Sequence, residues 1–239
     1  MNNFPNFVMI DGIPSTDFGV YTTDAGVYNA PERKVKFVNV PGRNGSLVYD
    51  EDSFENITVR YPAIIHDHYE DNFAALRAFL LSRKGYIRIE DTFNPLEYRL
   101  GVYHEAIEPK TTVGHKMGSF DIVFNCKPQR FLKIGEALTT IPRSPSIMIN
   151  PTRYKAKPLI RCYGTSGTIT INGIAATVTG CTNYVDLDCD LMESYEGSTS
   201  RNSTTTLTNG LFPVLDPGEN TITFSGFSSV AIIPRFFMI

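Results

Sequence analysis

The chain has 239 residues, 42% of them hydrophobic and 20% charged, with 16 Phe and 12 Tyr, no Trp, and a net charge of -3. That length suits two modest cores and the composition excludes wholesale disorder. The first 141 residues carry 15 basic and 18 acidic side chains and the rest carry 7 of each, with no basic block denser than Glu32 to Lys36; counterion-release binding, and sequence-specific recognition of nucleic acid with it, is disfavoured.

The first residues, MNNFPNFVMIDG, hold neither a charged leader nor a continuous apolar core, and no apolar run reaches the ~18 to 20 residues that span a bilayer. The expectation is a chain made and kept soluble in the cytoplasm, without membrane contact. Cys126, Cys162, Cys181 and Cys189 are spaced 36, 19 and 8 apart, which fits no zinc pattern; buried reduced thiols are expected.

In chain order, the first distinctive stretch is VPGRNGSLVYDED, Val40 to Asp52. Its glycines match neither the phosphate loop G-x4-G-K-[ST] nor G-x-G-x-x-G, and the residues after Gly45 continue as strand. Pro41, Gly42, Arg43, Asn44 and Gly45 therefore form a hairpin tip, with Pro41 stiffening the entry and Asn44-Gly45 supplying central residues of positive φ. Exposed Arg43 remains free to contact a partner.

Alternation then predicts a strand in NITVRYP, with Ile57, Val59 and Tyr61 on one side. From Asp67 to Lys84 the spacing changes: Tyr69, Phe73, Leu76 and Leu80 trace one face of an α-helix, with Phe79 beside it. Asp67 and Glu70 form a capping-box-like pair, Arg83 and Lys84 complement the negative end, and Gly85 offers a left-handed stop. Strands follow in GYIRIED and in SFDIVFNC, where Phe120, Ile122, Phe124 and Cys126 alternate with polar neighbours and Val123 breaks the polar side.

Residues 136–157, with Pro142, Pro145 and Pro151, read as a semi-extended linker with a strand at 146–149, dividing an N-terminal domain (1–135) from a C-terminal one (158–239). The C-terminal part reads as all β. Ile169 and Ile171 alternate before Asn172-Gly173, a strong hairpin signal; NYVDLDCD reads as a strand, and Pro217-Gly218 turns ahead of Ile222 and Phe224. The fold class is mainly β: an N-terminal β-sandwich-like domain with one α-helix and a β-hairpin, then a C-terminal β-sandwich.

Chemistry is sparse. His66 and His68 sit two apart where the helix begins and diverge, and neither His104 nor His115 has an adjacent ligand pair, so no metal is expected. There is no G-x-S-x-G elbow and no catalytic cysteine context; no catalytic residue and no cofactor is assigned. Asp186, Asp188 and Asp190 fall on one face of a strand, where a solvated face is the expectation and a bound cation the alternative.

VPGRNGSL together with FDIVFNCKPQRFL (Phe120 to Leu132) resembles the distal tail proteins of long non-contractile-tailed phages, the Dit family. In that family a hairpin of the first type, a helix and a strand end of the second type recur in this order. KPLIRCYGTSGTITING and LFPVLDPGENTITF resemble its galectin-like C-terminal β-sandwich, so the likeness spans nearly the whole chain. It implies a structural protein of the virion tail tip, not an enzyme, in the short form without a carbohydrate-binding insertion. The implied partners are its own copies in a hexameric ring, the tail tube protein, the tail-associated hub protein and a receptor-binding protein, with the tip Pro41 to Gly45 as the candidate assembly contact. Two other functions compete: a module binding cell-wall or surface glycans through Tyr163, Tyr184 and Tyr195, and a cell-wall hydrolase, which no catalytic constellation supports.

Overall fold

The computed structural model describes residues 6–25, 29–111 and 116–239; His115 lies outside them. Two compact units divide between Arg130 and Phe131. The fold is mainly β with one α-helix, as expected.

The first unit contains β1 (Val8–Ile10), β2 (Ile13–Pro14), β3 (Val20–Thr22), β4 (Arg33–Asn39), β5 (Ser46–Phe54), β6 (Ile57–Ile65), α1 (Tyr69–Ser82), β7 (Ile87–Asp91), β8 (Glu97–Tyr103), β9 (Lys110–Thr111) and most of β10 (Gly118–Leu132). Its main sheet runs in the order β2-β1-β7-β8-β10-β6-β3, while among the described residues β4 and β5 pair only with each other. The alternation read in the sequence places Ile57, Val59 and Tyr61 inward, and the strand runs on past Pro62 to Ile65, adding Ala63 and Ile65 to the same buried face. Opposite them, antiparallel β10 supplies Phe120, Ile122, Phe124 and Cys126, in unbroken register from Gly118↔Ile65 to Cys126↔Ile57.

Helix α1 lays Tyr69, Leu76 and Leu80 on this core. Phe73 meets the Phe120 ring edge-on at 5.2 Å, and Tyr69 stacks on Phe73 at 5.5 Å. The expected capping box does not form. His68, at φ 48 and ψ 43, is the N-cap, so Asp67 lies one residue too early and its carboxylate accepts the His68 N–H at 2.8 Å instead. The helix ends at Ser82; Arg83 is extended, pairs with Asp11 at 2.9 Å and lies 4.5 Å over the Phe79 ring. Gly85 has φ 71, but two residues beyond the C-cap's start.

The second unit is a two-sheet sandwich. Its strands are β11 (Thr139–Ile141), β12 (Ser146–Asn150), β13 (Leu159–Tyr163), β14 (Gly167–Ile171), β15 (Ile174–Val178), β16 (Tyr184–Asp188), β17 (Glu193–Glu196), β18 (Thr199–Ser200), β19 (Thr205–Leu207), β20 (Gly218–Ser225), β21 (Ser229–Ile233) and β22 (Phe237–Met238). One sheet runs β11-β21-β13-β16-β17-β18, the other β12-β20-β14-β15-β19. Asn172 (φ 50) and Gly173 (φ 85) both take positive φ at the β14–β15 turn, the type I′ geometry the Asn-Gly pair prescribes. Residues 136–157, read as a linker, hold β11 and β12, which pair with β21 and β20. The prolines lie outside both strands, so they bound these strands without removing a ladder hydrogen bond.

The acidic run departs from its expected solvated face. Asp190 is exposed, but Asp186 and Asp188, two apart on β16, are buried, each gripped by an arginine fork: Arg161 donates to both oxygens of Asp186 at 2.7 Å, and Arg235 to those of Asp188 at 2.7 and 2.8 Å. The partners come from 25 and 47 residues away, beyond any local pattern. Burial alone would raise Asp188; the Arg235 fork and the N–H groups of Leu191 and Asp190 outweigh it and hold the carboxyl below its ordinary range. All four cysteines are buried and free. Burial pushes Cys126 and Cys189 up to about 12 and raises Cys162 and Cys181 as well, so these thiols stay protonated.

Glu196 clamps a turn: its carboxylate accepts the N–H groups of Asn183 at 2.9 Å and Thr182 at 3.1 Å and pairs with Arg201. These backbone donors, with Arg201, lower it to about 2.

Three consequences are measurable by chemical denaturation. A Cβ on Gly118 would lie 2.2 Å from the Tyr69 ring, so Gly118→Ala should cost about 1 to 3 kcal/mol. Arg161→Ala strands the Asp186 carboxylate and should cost about 3 kcal/mol, whereas Arg161→Met with Asp186→Leu should lose much less. Because Glu196 is lowered on folding, its contribution is complete above pH ~4.5 and is lost as the pH falls toward 2; Glu196→Gln should remove that part of the acid sensitivity.

Candidate assembly surface

The β4–β5 ribbon is built by local sequence. Its register runs from Lys36↔Tyr49 through Phe37↔Val48 and Val38↔Leu47 to Asn39↔Ser46, where the Ser46 hydroxyl donates to Asn39 Oδ1 at 2.6 Å. The tip differs in detail from the expected Asn-Gly turn. The Arg43 N–H donates to Val40 O at 3.2 Å across Pro41 and Gly42, and Gly42 has φ 79. That is the type II pattern, in which proline presets the first central residue and glycine takes the positive φ of the second. Gly45 (φ 78) then turns the chain into β5, while Asn44 is not among the residues of positive φ.

At its root the ribbon is tied by charge. Arg33 reaches Asp50 at 2.6 Å and Asp52 at 3.3 Å, Lys36 reaches Glu51 at 2.6 Å, and Lys34 reaches Glu55 at 3.7 Å. The Asp52 N–H and Arg33 hold the Asp50 carboxyl below its ordinary range, and Lys36 does the same for Glu51. Such exposed pairs contribute little individually to stability, but they favour the observed strand register.

Beyond the root the ribbon is apolar and wet. Opposite residues of an antiparallel pair share a face. Phe37 with Val48 therefore marks one face, and Val38, Leu47 and Tyr49 the other. Phe37 is 67% exposed, Tyr49 62% and Val48 61%, and Val38, Val40 and Leu47 are exposed too. No third strand joins either side among the described residues. An isolated two-stranded ribbon is marginal in water, and covering these six side chains would contribute roughly 1 kcal/mol each. The five residues Pro41 to Gly45 are all exposed at the end of this ribbon.

The other candidates are placed less favourably for chemistry. His66 lies 6.2 Å from the Tyr21 ring, and His68 Nδ1 is 3.1 Å from Asp67. Among the described residues no group of three or more His, Cys, Asp or Glu is arranged to hold a metal ion, and no helix is long and apolar enough to cross a membrane. Tyr184, one of three tyrosines considered for sugar stacking, carries the Arg161 guanidinium over its ring at 4.7 Å; Tyr163 lies opposite Tyr184, and Tyr195 opposite Asp186, in the ladder. The Arg161 fork thus lies against the Tyr184 ring, and nothing in this arrangement favours a sugar site. No local sequence signal announced the forks.

The chain matches solved structures along its full length. The Dit protein of phage SPP1, whose crystal structure is described as a paradigm of hub adsorption apparatus in Gram-positive-infecting phages, superposes with a TM-score of 0.76 at 16% identity, over 98% of this chain and 99% of that one. Chains from the phage p2 baseplate in its activated conformation, with Sr and with Ca, each match with a TM-score of 0.51 at 10% identity. They cover 95% and 96% of this chain and 97% of each of theirs. No family model and no curated protein matches the sequence. The shared fold extends through both units.

Proposed function

We propose that this chain is a distal tail protein of the Dit type, a structural component of a phage tail tip. The observation that carries the reading is the likeness to SPP1 Dit over 98% of one chain and 99% of the other. In this reading the protein works by assembly and carries out no catalysis. Copies close into a ring, six in number, that joins the tail tube protein to the tail-associated hub protein and the receptor-binding apparatus.

The β4–β5 ribbon supports the reading physically. A rotationally closed ring uses a heterologous contact, in which one patch on each copy meets a different patch on the next. An arm with two wet apolar faces and a stiffened tip suits such a contact, because inserting it into a neighbour covers both faces at once. Permanent contacts bury ~2,000 Å² or more in total. The residues assigned to the contact are Phe37, Val38, Leu47, Val48 and Tyr49 on the faces, with Pro41, Gly42, Arg43, Asn44 and Gly45 at the tip.

Light scattering and negative-stain images of the purified chain test this. The expected result is a closed ring of six at tens of micromolar; a strict monomer at that concentration would sink the ring. Phe37→Ser with Val48→Ser, and separately Val38→Ser with Leu47→Ser, should each release monomer. Arg43→Ala with Asn44→Ala should weaken the ring to a smaller extent. The unfolding free energy of the released monomer should change by less than ~0.5 kcal/mol, since these side chains are exposed. Intact rings in all three variants would reject the arm as the contact.

A further inference from the structure

The second unit leaves one sheet edge open. Its other terminal strands are short: β11 and β19 have three residues and β18 two. Strand β12, Ser146–Asn150, has five, without charge or internal proline, and it ends its sheet with β20 on one side only. Natural sheets blunt such edges with charge, proline, bulges or brevity. Here proline bounds the strand at Pro145 and Pro151 but leaves its length intact. Met148 packs toward the core, whereas Ile147 and Ile149 are 65% and 62% exposed on the outer face. In an antiparallel strand alternate residues turn their N–H and C=O groups away from the existing partner, so this edge presents unpaired backbone groups beside two wet isoleucines.

A groove of ≈ 660 Å³ opens at the N-terminal end of this strand, lined by Ile141, Pro142, Arg143, Pro145, Ile147 and Met148 among others. Arg143 precedes the strand and Arg153 follows it, both exposed, and neither has a carboxylate partner among the described residues. Nearby Lys155 and Lys157, by contrast, are paired with Asp216 and Asp190. We infer that the open edge of β12 is a docking site for an extended strand of another protein, apolar at alternate positions and acidic at both ends. The strand would extend the sheet by backbone pairing, set its apolar side chains beside Ile147 and Ile149, and offer a carboxylate to each arginine. A second copy of the chain fits poorly. Self-pairing of β12 about Met148 would bring Arg143 of each copy toward Arg153 of the other, with like charges at both ends of the ladder.

This inference stands on the second unit alone and does not depend on the ring. The probe is an acetylated, amidated peptide, EVTVTVTVE, which centred on Met148 sets valines opposite Ile147 and Ile149 and a glutamate next to each arginine, added to the full chain and followed by fluorescence anisotropy and hydrogen–deuterium exchange. Expected are saturable binding and slowed exchange across residues 146–150. Replacing both glutamates of the peptide by lysine should weaken binding at least ten-fold, as should Arg143→Glu with Arg153→Glu. Ile149→Lys, an exposed change that blocks the edge, should abolish binding, whereas Leu191→Lys, on an exposed turn, should leave it intact. Absence of binding, equal binding of the lysine peptide, or binding that survives Ile149→Lys would overturn the proposal. So would sedimentation showing that Ile149→Lys dissolves a self-association that the Val38→Ser, Leu47→Ser variant retains, because the edge would then belong to a second copy.

Discussion

A two-stranded ribbon has no interior, and that constraint governs the reading of this protein. Strands β4 and β5 put apolar side chains on both of their faces, and within the described chain no further strand covers either. Apolar burial is the dominant favourable term in folding and association. A ribbon of this kind therefore leaves part of its stabilisation to be gained outside the chain. The ion pairs at its root favour its register and leave its hydrophobic length unused. Covering by another surface would bury both faces of such an element, which suits it to the contact proposed for it.

The core beneath the helix and the core of the sandwich are closed in the ordinary way. In the first unit Tyr69 and Gly118 meet as bulk against absence of bulk, so the helix sits close to β10 only because no Cβ stands between them. In the second unit two arginine forks turn buried carboxylates into fixed points of the sheet. Replacing such pairs by hydrophobes is often neutral for stability, while their forked geometry ties β13 and the segment after β21 to β16. The buried thiols, held protonated, serve these cores as small apolar groups. Both units thus provide stable mountings for exposed strand elements, the ribbon in one and the β12 edge in the other.

Much of this was legible locally. Alternation in NITVRYP and SFDIVFNC identified β6 and β10 and a buried face of each, and the four-three-four spacing of Tyr69, Phe73, Leu76 and Leu80 identified the helix. Asn172-Gly173 announced its turn because only a few residue types tolerate positive φ. The errors also have local causes. Asp67 and Glu70 have the spacing of a capping box, yet a left-handed His68 shifted the start of the helix by one residue. In the hairpin, both Pro-Gly and Asn-Gly are competent turns, and the hydrogen bond formed across the first.

The order of residues by itself determined period, turn chemistry and the division into β-rich halves, since these depend on neighbours within a few positions along the chain. Only the tertiary structure decided that Asp186 and Asp188 are buried, because their arginines arrive from Arg161 and Arg235, far off in sequence. It also decided which strands end without a neighbour. A strand's residues encode which face is apolar, but whether that face or edge is covered depends on the packing of distant segments, and that is where the ribbon and β12 acquire their meaning.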